Sequence, residues 1–176
     1  MAVLHGPLAL VAATAAVSGF LHLDQVEAAA GSTADLSGYT SQARADAINI
    51  DELPGLDYDP GFRQFSGYLP VDDDHGRHLF YWYVESQGVP TDDPVVLWTN
   101  GGPGCSGLLG FGTEMGPYFI SRDGTLSPNP FSWNKVASVL YIEQPAGTGF
   151  SYSDTEADYT TGEMPFPTTC TCLRTG

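Results

Sequence analysis

The feature that most constrains this chain is an apolar run that ends abruptly in a cluster of glycines. Residues 95–99 read Val-Val-Leu-Trp-Thr, and residues 100–107 read Asn-Gly-Gly-Pro-Gly-Cys-Ser-Gly. A short apolar run bounded by turn residues predicts a buried strand, and the glycines after it predict a tight turn. Glycine lets a ligand approach the backbone closely, so the amides of Gly101 and Gly102 can face a developing negative charge. The stretch therefore predicts an anion-binding loop at the end of a buried strand.

The rest of the pattern predicts an α/β arrangement around this strand. Residues 64–71 and 78–84 flank a turn rich in Asp and Gly and alternate loosely between apolar and polar side chains, which is typical of a β-hairpin. A short helix is predicted at 108–115 and a small second hairpin at 118–126. Residues 138–142 predict another buried strand that ends in a Pro/Gly loop. Two strands then bring their carboxyl ends to one rim, where open α/β sheets place ligands.

Four motifs in this order resemble the serine carboxypeptidase family. They are Trp-Thr-Asn-Gly-Gly-Pro-Gly-Cys-Ser-Gly at 98–107, Thr-Glu-Met-Gly-Pro at 113–117, Asn-Pro-Phe-Ser-Trp-Asn at 129–134 and Glu-Gln-Pro-Ala-Gly-Thr-Gly-Phe-Ser-Tyr-Ser at 143–153. The resemblance begins near Phe65, fades after Tyr159, and covers only the family's N-terminal portion. It implies part of an α/β-hydrolase sheet, a hairpin plus two buried strands, and a hydrolase that removes C-terminal residues from peptides.

The same resemblance also implies that this sequence is incomplete as an enzyme. The family's nucleophile motif, Gly-Glu-Ser-Tyr-Ala-Gly, does not occur in the 176 residues. The family's catalytic Asp and His have no counterpart in them either. A truncated chain, inactive as a peptidase by itself, is therefore expected.

Residues of the glycine loop and the helix after it acquire roles from the resemblance. Gly102 matches the family's oxyanion-hole amide, and Asn100 and Gly101 match groups that bind the substrate's C-terminal carboxylate. Glu114 matches a glutamate that pairs with the glutamate before the nucleophile. Two carboxylates that share a proton can donate a hydrogen bond to a substrate carboxylate in mild acid.

The cysteines leave a question open. The chain has three, Cys105, Cys170 and Cys172, which is an odd number for a secreted protein. Cys105 matches a family cysteine whose disulfide partner lies at a distant, later position that this chain does not contain. Cys105 is therefore expected to be unpaired, or paired with Cys170 or Cys172.

Other candidate chemistry is weaker. Ser106 is a possible nucleophile by residue type, but its surroundings, Gly-Cys-Ser-Gly-Leu, miss the Gly-x-Ser-x-Gly elbow by one residue. The histidines His75 and His78 fall in the predicted hairpin and are interpreted as ordinary polar residues. Three aspartates at 72–74 lack EF-hand spacing and its terminal glutamate, so neither a metal site nor a cofactor is predicted.

The ends of the chain differ in character from its middle. Residues 1–30 carry an apolar stretch that ends in small residues, which predicts a signal peptide, with an uncleaved anchor as the alternative. Residues 31–60 are acidic and poor in apolar side chains, which predicts a pro-segment or flexible arm before a partial domain at 61–160. Residues 161–176 show no period and are interpreted as an aberrant irregular tail. The expected location is secreted or lysosomal/vacuolar.

Charge narrows the range of partners. The chain holds 6 Lys and Arg against 21 Asp and Glu, a net charge of −15. This balance argues against nucleic acid and anionic membranes, so peptide C-termini are the expected partner, with no membrane contact after signal cleavage. Two other functions stay open. One is a non-catalytic secreted acidic protein whose half-pocket binds peptide C-termini, and the other is a fragment of an acyltransferase of the same family.

Overall fold

The computed structural model describes residues 2–4, 36–161 and 164–165 of the chain. Most of the predicted signal peptide and most of the predicted tail lie outside these residues. The described strands are β1 (Ala2–Leu4), β2 (Gln64–Asp72), β3 (Arg77–Val84), β4 (Val95–Trp98), β5 (Tyr118–Ile120), β6 (Leu126–Pro128), β7 (Ser138–Ile142), β8 (Thr160–Thr161) and β9 (Met164–Pro165). The described α-helices are α1 (Ser41–Asp46) and α2 (Leu108–Thr113), and 3-10 helices span Ile50–Glu52, Trp133–Lys135 and Glu156–Tyr159.

Five strands form one mixed sheet in the order β1-β4-β7-β3-β2. Only the pair β4 and β7 is parallel among these neighbours, and the other three pairs are antiparallel. The predicted hairpin is confirmed as β2 and β3, with Phe65 opposite Tyr83 and Tyr68 opposite Phe80. The two predicted buried strands are confirmed as β4 and β7, which lie side by side at the centre of the sheet.

Both faces of the sheet are apolar because the strands alternate two sets of hydrophobic side chains. On one face Val96, Val139 and Tyr141 pack with Phe111 of α2. The opposite face carries a second cluster, which consists of Phe65, Tyr81, Tyr83 and Leu140 packed with Tyr39 and Ala43. A sheet covered on both faces requires strands without a polar side, which explains the continuous apolar runs at β4 and β7.

The described part of the predicted arm, residues 36–60, packs against the sheet. Thr40 caps α1 by accepting a hydrogen bond from the Ala43 amide at 3.1 Å, and Ala43 is buried. The Tyr39 hydroxyl donates to the buried carboxylate of Glu85 beside β3. Burial raises the pKa of Glu85, and the hydrogen bond from Tyr39 opposes that rise. The few apolar side chains of these residues thus pack against the core clusters of the sheet, and the assignment as a pro-segment or flexible arm stays a prediction.

The outer edge of β4 is covered by β1. The three residues of β1 pair antiparallel with Val95, Val96 and Leu97. An apolar strand with an open edge is a template for pairing with another chain, so β1 protects β4 from such pairing. β1 falls within the predicted signal peptide, whose cleavage stays a prediction. In the predicted tail, the described residues belong to the small hairpin of β8 and β9.

Candidate active site

The glycine loop begins where β4 ends. Because β4 and β7 are parallel neighbours, their carboxyl ends meet at one rim, as the sequence predicts. The loop after β4 spans residues 99–107, and the loop after β7 spans residues 143–153. The Gln144 side chain donates to the Thr99 hydroxyl at 3.1 Å and so joins the two loops at their start.

Gly102 can only be glycine in this conformation. Its φ is +136°, and a Cβ at this position would lie 3.1 Å from both the amide nitrogen and the Sγ of Cys105. The bond from Gly102 to Pro103 is cis. The Cys105 amide donates to the carbonyl of Gly101 at 3.3 Å, which closes the loop into a tight turn. Gly101 and Gly102 are both exposed at its tip.

The loop presents unused hydrogen-bond donors. Among the described residues, no acceptor bonds the amides of Gly101 and Gly102. The indole N–H of Trp98 donates to Asn100 Oδ1 at 2.7 Å. Since an indole nitrogen is a donor only, this bond fixes which end of the Asn100 amide faces Trp98 and leaves Nδ2 as a donor. Three donors, two from the backbone and one from Asn100, match the needs of a carboxylate or an oxyanion.

Helix α2 follows the loop and ends at Thr113, directly before Glu114, one of the predicted site residues. The helix is two residues shorter than the predicted 108–115, because the amides of Glu114, Met115 and Gly116 all converge on the carbonyl of Gly110. The Glu114 side chain is exposed, and its carboxylate bonds to no described residue. Asn129, itself buried, holds the carbonyl of Glu114 at 3.0 Å through its side-chain amide.

Trp98 links the loop to α2. A Cβ on Gly110 would lie 2.4 Å from Trp98 Nε1, so the indole packs directly on the backbone of the helix. The ring also meets Trp133 edge to face at 5.8 Å between centroids. Trp98 therefore contacts both Asn100 of the loop and the backbone of the helix that precedes Glu114. No direct contact between Asn100 and Glu114 is present in the described residues.

Ser106 does not form a catalytic pair. Its hydroxyl donates to Glu143 and accepts the Leu108 amide at 3.1 Å. Neither His75 nor His78 contacts it among the described residues: His75 bonds Asp158 at 3.0 Å, and His78 stacks on Tyr152 at 4.9 Å between centroids. These contacts agree with the sequence-based interpretation of Ser106 as a non-catalytic residue.

Cys105 is buried and disulfide-bonded. The other two cysteines of the chain, Cys170 and Cys172, lie outside the described residues. The structure thus does not leave Cys105 as a free thiol, which was one of the two expected states.

The aspartate-rich turn between β2 and β3 is organised by an ion pair. Arg77 donates two hydrogen bonds to Asp158, at 2.7 and 3.1 Å, and lies 3.6 Å from Asp72. The Arg77 guanidinium and then the Ser153 hydroxyl hold the pKa of Asp158 well below its usual range. Across residues 36–160, no group of three or more His, Cys, Asp and Glu side chains is arranged to hold a metal ion.

Three residues that organise this rim were not assigned roles from the sequence. Trp98 orients Asn100 by a hydrogen bond, and Asn129 bonds the carbonyl at the end of α2. Glu143 accepts a hydrogen bond from the Ser106 hydroxyl. All three lie inside the motifs that carry the family resemblance. A buried acid at the end of an apolar strand was the available signal for Glu143, but its partner Ser106 lies 37 residues away in the chain.

Comparison with known proteins identifies the family. The serine carboxypeptidase family model matches residues 54–168. Lysosomal protective protein from Mus musculus is 58% identical over 115 residues, which are 65% of this chain and 24% of the relative. Serine carboxypeptidase-like 31 from Arabidopsis thaliana is 49% identical over 113 residues, covering 62% of this chain and 23% of the relative.

A solved structure agrees with these matches. Kex1(delta)p, a prohormone-processing carboxypeptidase from Saccharomyces cerevisiae, superposes with a TM-score of 0.55 and 34% identity over 62% of this chain and 26% of that one. The mixed sheet is therefore of the α/β-hydrolase type. The chain spans about a quarter of the length of the curated relatives it matches. No helix within the described residues is long and apolar enough to cross a membrane. The chain belongs to the serine carboxypeptidase family.

Proposed function

We propose that this chain carries the carboxylate-binding and oxyanion-binding part of a serine-type carboxypeptidase site. The observation that supports it is the donor set at the end of β4: the amides of Gly101 and Gly102 and the Nδ2 of Asn100, with no acceptor among the described residues. Hydrogen bonds to a charged acceptor contribute about 1.5–3 kcal/mol each. A peptide ending in a free carboxylate satisfies these donors, whereas an amidated peptide does not.

Each donor has its own task in this proposal. Asn100 and Gly101 hold the C-terminal carboxylate, which places the scissile peptide bond one residue from the chain end. Gly102 then directs its amide at the oxygen that becomes negative when the carbonyl is attacked. One such donor typically contributes about 2.7–4 kcal/mol to the transition state. This division of tasks explains removal of single C-terminal residues instead of internal cleavage.

Glu114 completes the carboxylate site only with a second carboxyl group. Its exposed position at the end of α2 leaves the side chain accessible to such a partner. The expected partner precedes the family's nucleophile, in a motif that these 176 residues do not contain. We therefore propose that Glu114 binds substrate weakly in this polypeptide and more strongly where the pair is complete.

The polypeptide of 176 residues is proposed to be inactive as a peptidase by itself and to form only the N-terminal part of the α/β-hydrolase domain. Ser106, the serine of the glycine loop, donates a hydrogen bond to the buried carboxylate of Glu143 and has no histidine beside it in the described residues. Without a nucleophile and a base, a polarised carbonyl is not attacked. The proposed location is secreted or lysosomal/vacuolar, and one relative is named as a lysosomal protein.

A non-catalytic acidic protein that binds peptide C-termini is the second candidate. The same unbonded donors support it, because binding a carboxylate without a reaction requires no nucleophile. The acyltransferase alternative uses the same oxyanion donor but transfers an acyl group to an alcohol. The residues that would distinguish it from a hydrolase are not among those described.

A binding measurement tests the proposed recognition. The chain should bind a peptide with a free C-terminus and bind its C-terminal amide at least about tenfold more weakly, because one hydrogen bond to a charge is lost. Asn100→Asp replaces the donor by a carboxylate and should abolish the preference. Ser127→Asp adds the same charge on an exposed strand and serves as the control. Equal affinity for acid and amide in the unaltered chain would contradict the proposal.

An activity measurement tests the proposed inactivity. Incubation with an N-blocked dipeptide at mildly acid pH should release no free amino acid above the buffer rate. Turnover that disappears in Ser106→Ala would show that Ser106 is a nucleophile after all.

A further inference from the structure

Glu143 is a buried acid without a cation. It is the first residue after β7, and its side chain is only 1% exposed. Among the described residues, no Lys, Arg or His forms an ion pair with it. A buried carboxylate in this situation depends on hydrogen-bond donors to offset its desolvation.

Two donors come from opposite sides of the rim. The Ser106 hydroxyl, from the glycine loop, donates to Oε1. The Phe150 amide, from the loop after β7, donates to Oε2 at 2.6 Å. Gly149 has a φ of +54°, and a Cβ there would lie 2.1 Å from both carboxylate oxygens, so the chain is wrapped closely around the acid. The carboxylate therefore joins the two loops that follow the parallel strands.

Ser106 lies at the junction between the glycine loop and helix α2. The same hydroxyl accepts the Leu108 amide at the start of α2. Its neighbour Gly107 packs so closely on β7 that a Cβ would lie 2.4 Å from the carbonyl oxygen of Ile142. Ser106 thus fixes the junction between the glycine loop and α2 against the end of β7.

The tip of the glycine loop is exposed, and a Cβ on Gly101 would meet nothing within 4 Å. Within the loop, the Cys105 amide holds the Gly101 carbonyl at 3.3 Å. The two ends of the loop are anchored by side chains. Trp98 holds Asn100 at one end, and Glu143 holds Ser106 at the other.

We propose that Glu143 is a positioning residue, which acts through Ser106 to aim the amides of Gly101 and Gly102 at the substrate. The inference rests on the proposed function, because those amides matter only if they bind a carboxylate or an oxyanion. A purely structural Glu143 would stabilise the fold without setting the direction of these two amides.

The test uses the full 176-residue chain labelled with ¹⁵N. Ser106→Ala removes the donor to Glu143, and Glu143→Gln keeps the side-chain shape but cannot accept from both donors with its two ends. Ser86→Ala is the matched control, since the Ser86 hydroxyl also donates to a carboxylate, that of Asp93 at 2.6 Å, away from the glycine loop. Amide resonances of Gly101 and Gly102 and the dissociation constant for a free-carboxylate peptide are measured for each.

Ser106→Ala and Glu143→Gln should each move the Gly101 and Gly102 resonances and weaken peptide binding about tenfold, whereas Ser86→Ala should leave both unchanged. Resonances in both variants that coincide with those of the unaltered chain, or that move no more than in Ser86→Ala, would overturn the inference. If the unaltered chain fails to bind the peptide, the proposed function fails, while the resonances still decide whether Glu143 sets the amide direction.

Discussion

The loops after β4 and β7 start side by side and differ in almost every other respect. The glycine loop after β4 is exposed at its tip and leaves the amides of Gly101 and Gly102 unbonded among the described residues. The loop after β7 wraps around Glu143, because the Phe150 amide donates to the Glu143 carboxylate and the Gly147 amide donates to the Ser151 carbonyl. Ser151 illustrates this, because its hydroxyl donates to the Glu143 carbonyl at 2.6 Å and accepts the Phe80 amide at 2.8 Å.

The difference shows how one rim can combine binding with rigidity. A donor that binds a ligand must be free in the unliganded protein, and that freedom removes support from its own loop. The neighbouring loop supplies the support, since its buried carboxylate is bonded to Ser106. The two strands that precede these loops also differ in their neighbours in the sheet. β7 is paired with β3 on one side and with β4 on the other, whereas β4 has β7 on one side and only the three-residue β1 on the other.

The largest predicted effect is a difference in the free energy of unfolding between a substitution in one loop and a substitution in the other. Gly149→Ala should destabilise the chain by about 3 kcal/mol, because the residue has a positive φ and the added methyl group displaces the buried Glu143 carboxylate. Gly101→Ala should change stability by no more than about 0.5 kcal/mol, since the new Cβ meets open space. Urea unfolding of the two variants provides the comparison. Equal losses would mean that the loops do not differ in packing.

A smaller effect concerns the orientation of the donors. Trp98→Phe removes the N–H that fixes Asn100, and the affinity for a peptide with a free carboxylate should fall about tenfold. Trp82→Phe is the matched control, because the Trp82 indole also donates to an amide oxygen, that of Gln64 at 3.1 Å, away from the loop. Similar affinity losses in the two variants would refute a specific role of Trp98.

The smallest effect depends on pH and concerns Asp158, which lies in the 3-10 helix that follows the loop after β7. Arg77 and Ser153 hold the pKa of Asp158 below its unfolded value of about 3.9, so the stabilisation is fully present above about pH 4. It should be lost as the pH falls from about 4 toward the folded pKa. Urea midpoints measured at pH 6 and at pH 3 should fall less in Asp158→Asn than in the unaltered chain. A parallel decline in both proteins would rule out this contribution of Asp158.

The strands β2, β3, β4 and β7 were predictable because each is an apolar or loosely alternating run with clear ends. The hairpin of β2 and β3, the strands β4 and β7 and their common rim follow from the positions of Gly, Pro and Asp around them. The packing of residues 36–60 did not follow, since it depends on single side chains such as Tyr39 reaching Glu85, 46 residues later. Helix α2 was predicted too long, and the contact that holds its end, from the Asn129 side chain to the Glu114 carbonyl, spans 15 residues.

The sequence was enough to predict which loop forms the candidate site, but not how the side chains of that loop are oriented. Asn100, Gly101 and Gly102 could be chosen from the glycine cluster and the family motifs. The orientation of Asn100 needed the position of Trp98, and the support of the loop needed Glu143, which is distant in sequence. Hydrogen bonds between distant residues leave no local period in a sequence, so they appear only when the chain is folded.

The central claim is that the Gly101 amide and the Asn100 side chain bind the terminal carboxylate of a peptide. Titration of the ¹⁵N-labelled chain with a peptide acid should move the Gly101 amide proton and the Asn100 Nδ2 proton resonances downfield until saturation, and the corresponding peptide amide should not. Gly124 provides an internal reference, since its amide already donates to the Ser121 carbonyl at 2.9 Å and should stay in place. Resonances of Gly101 and Asn100 that stay in place with the acid, or that move equally with acid and amide, would contradict the account.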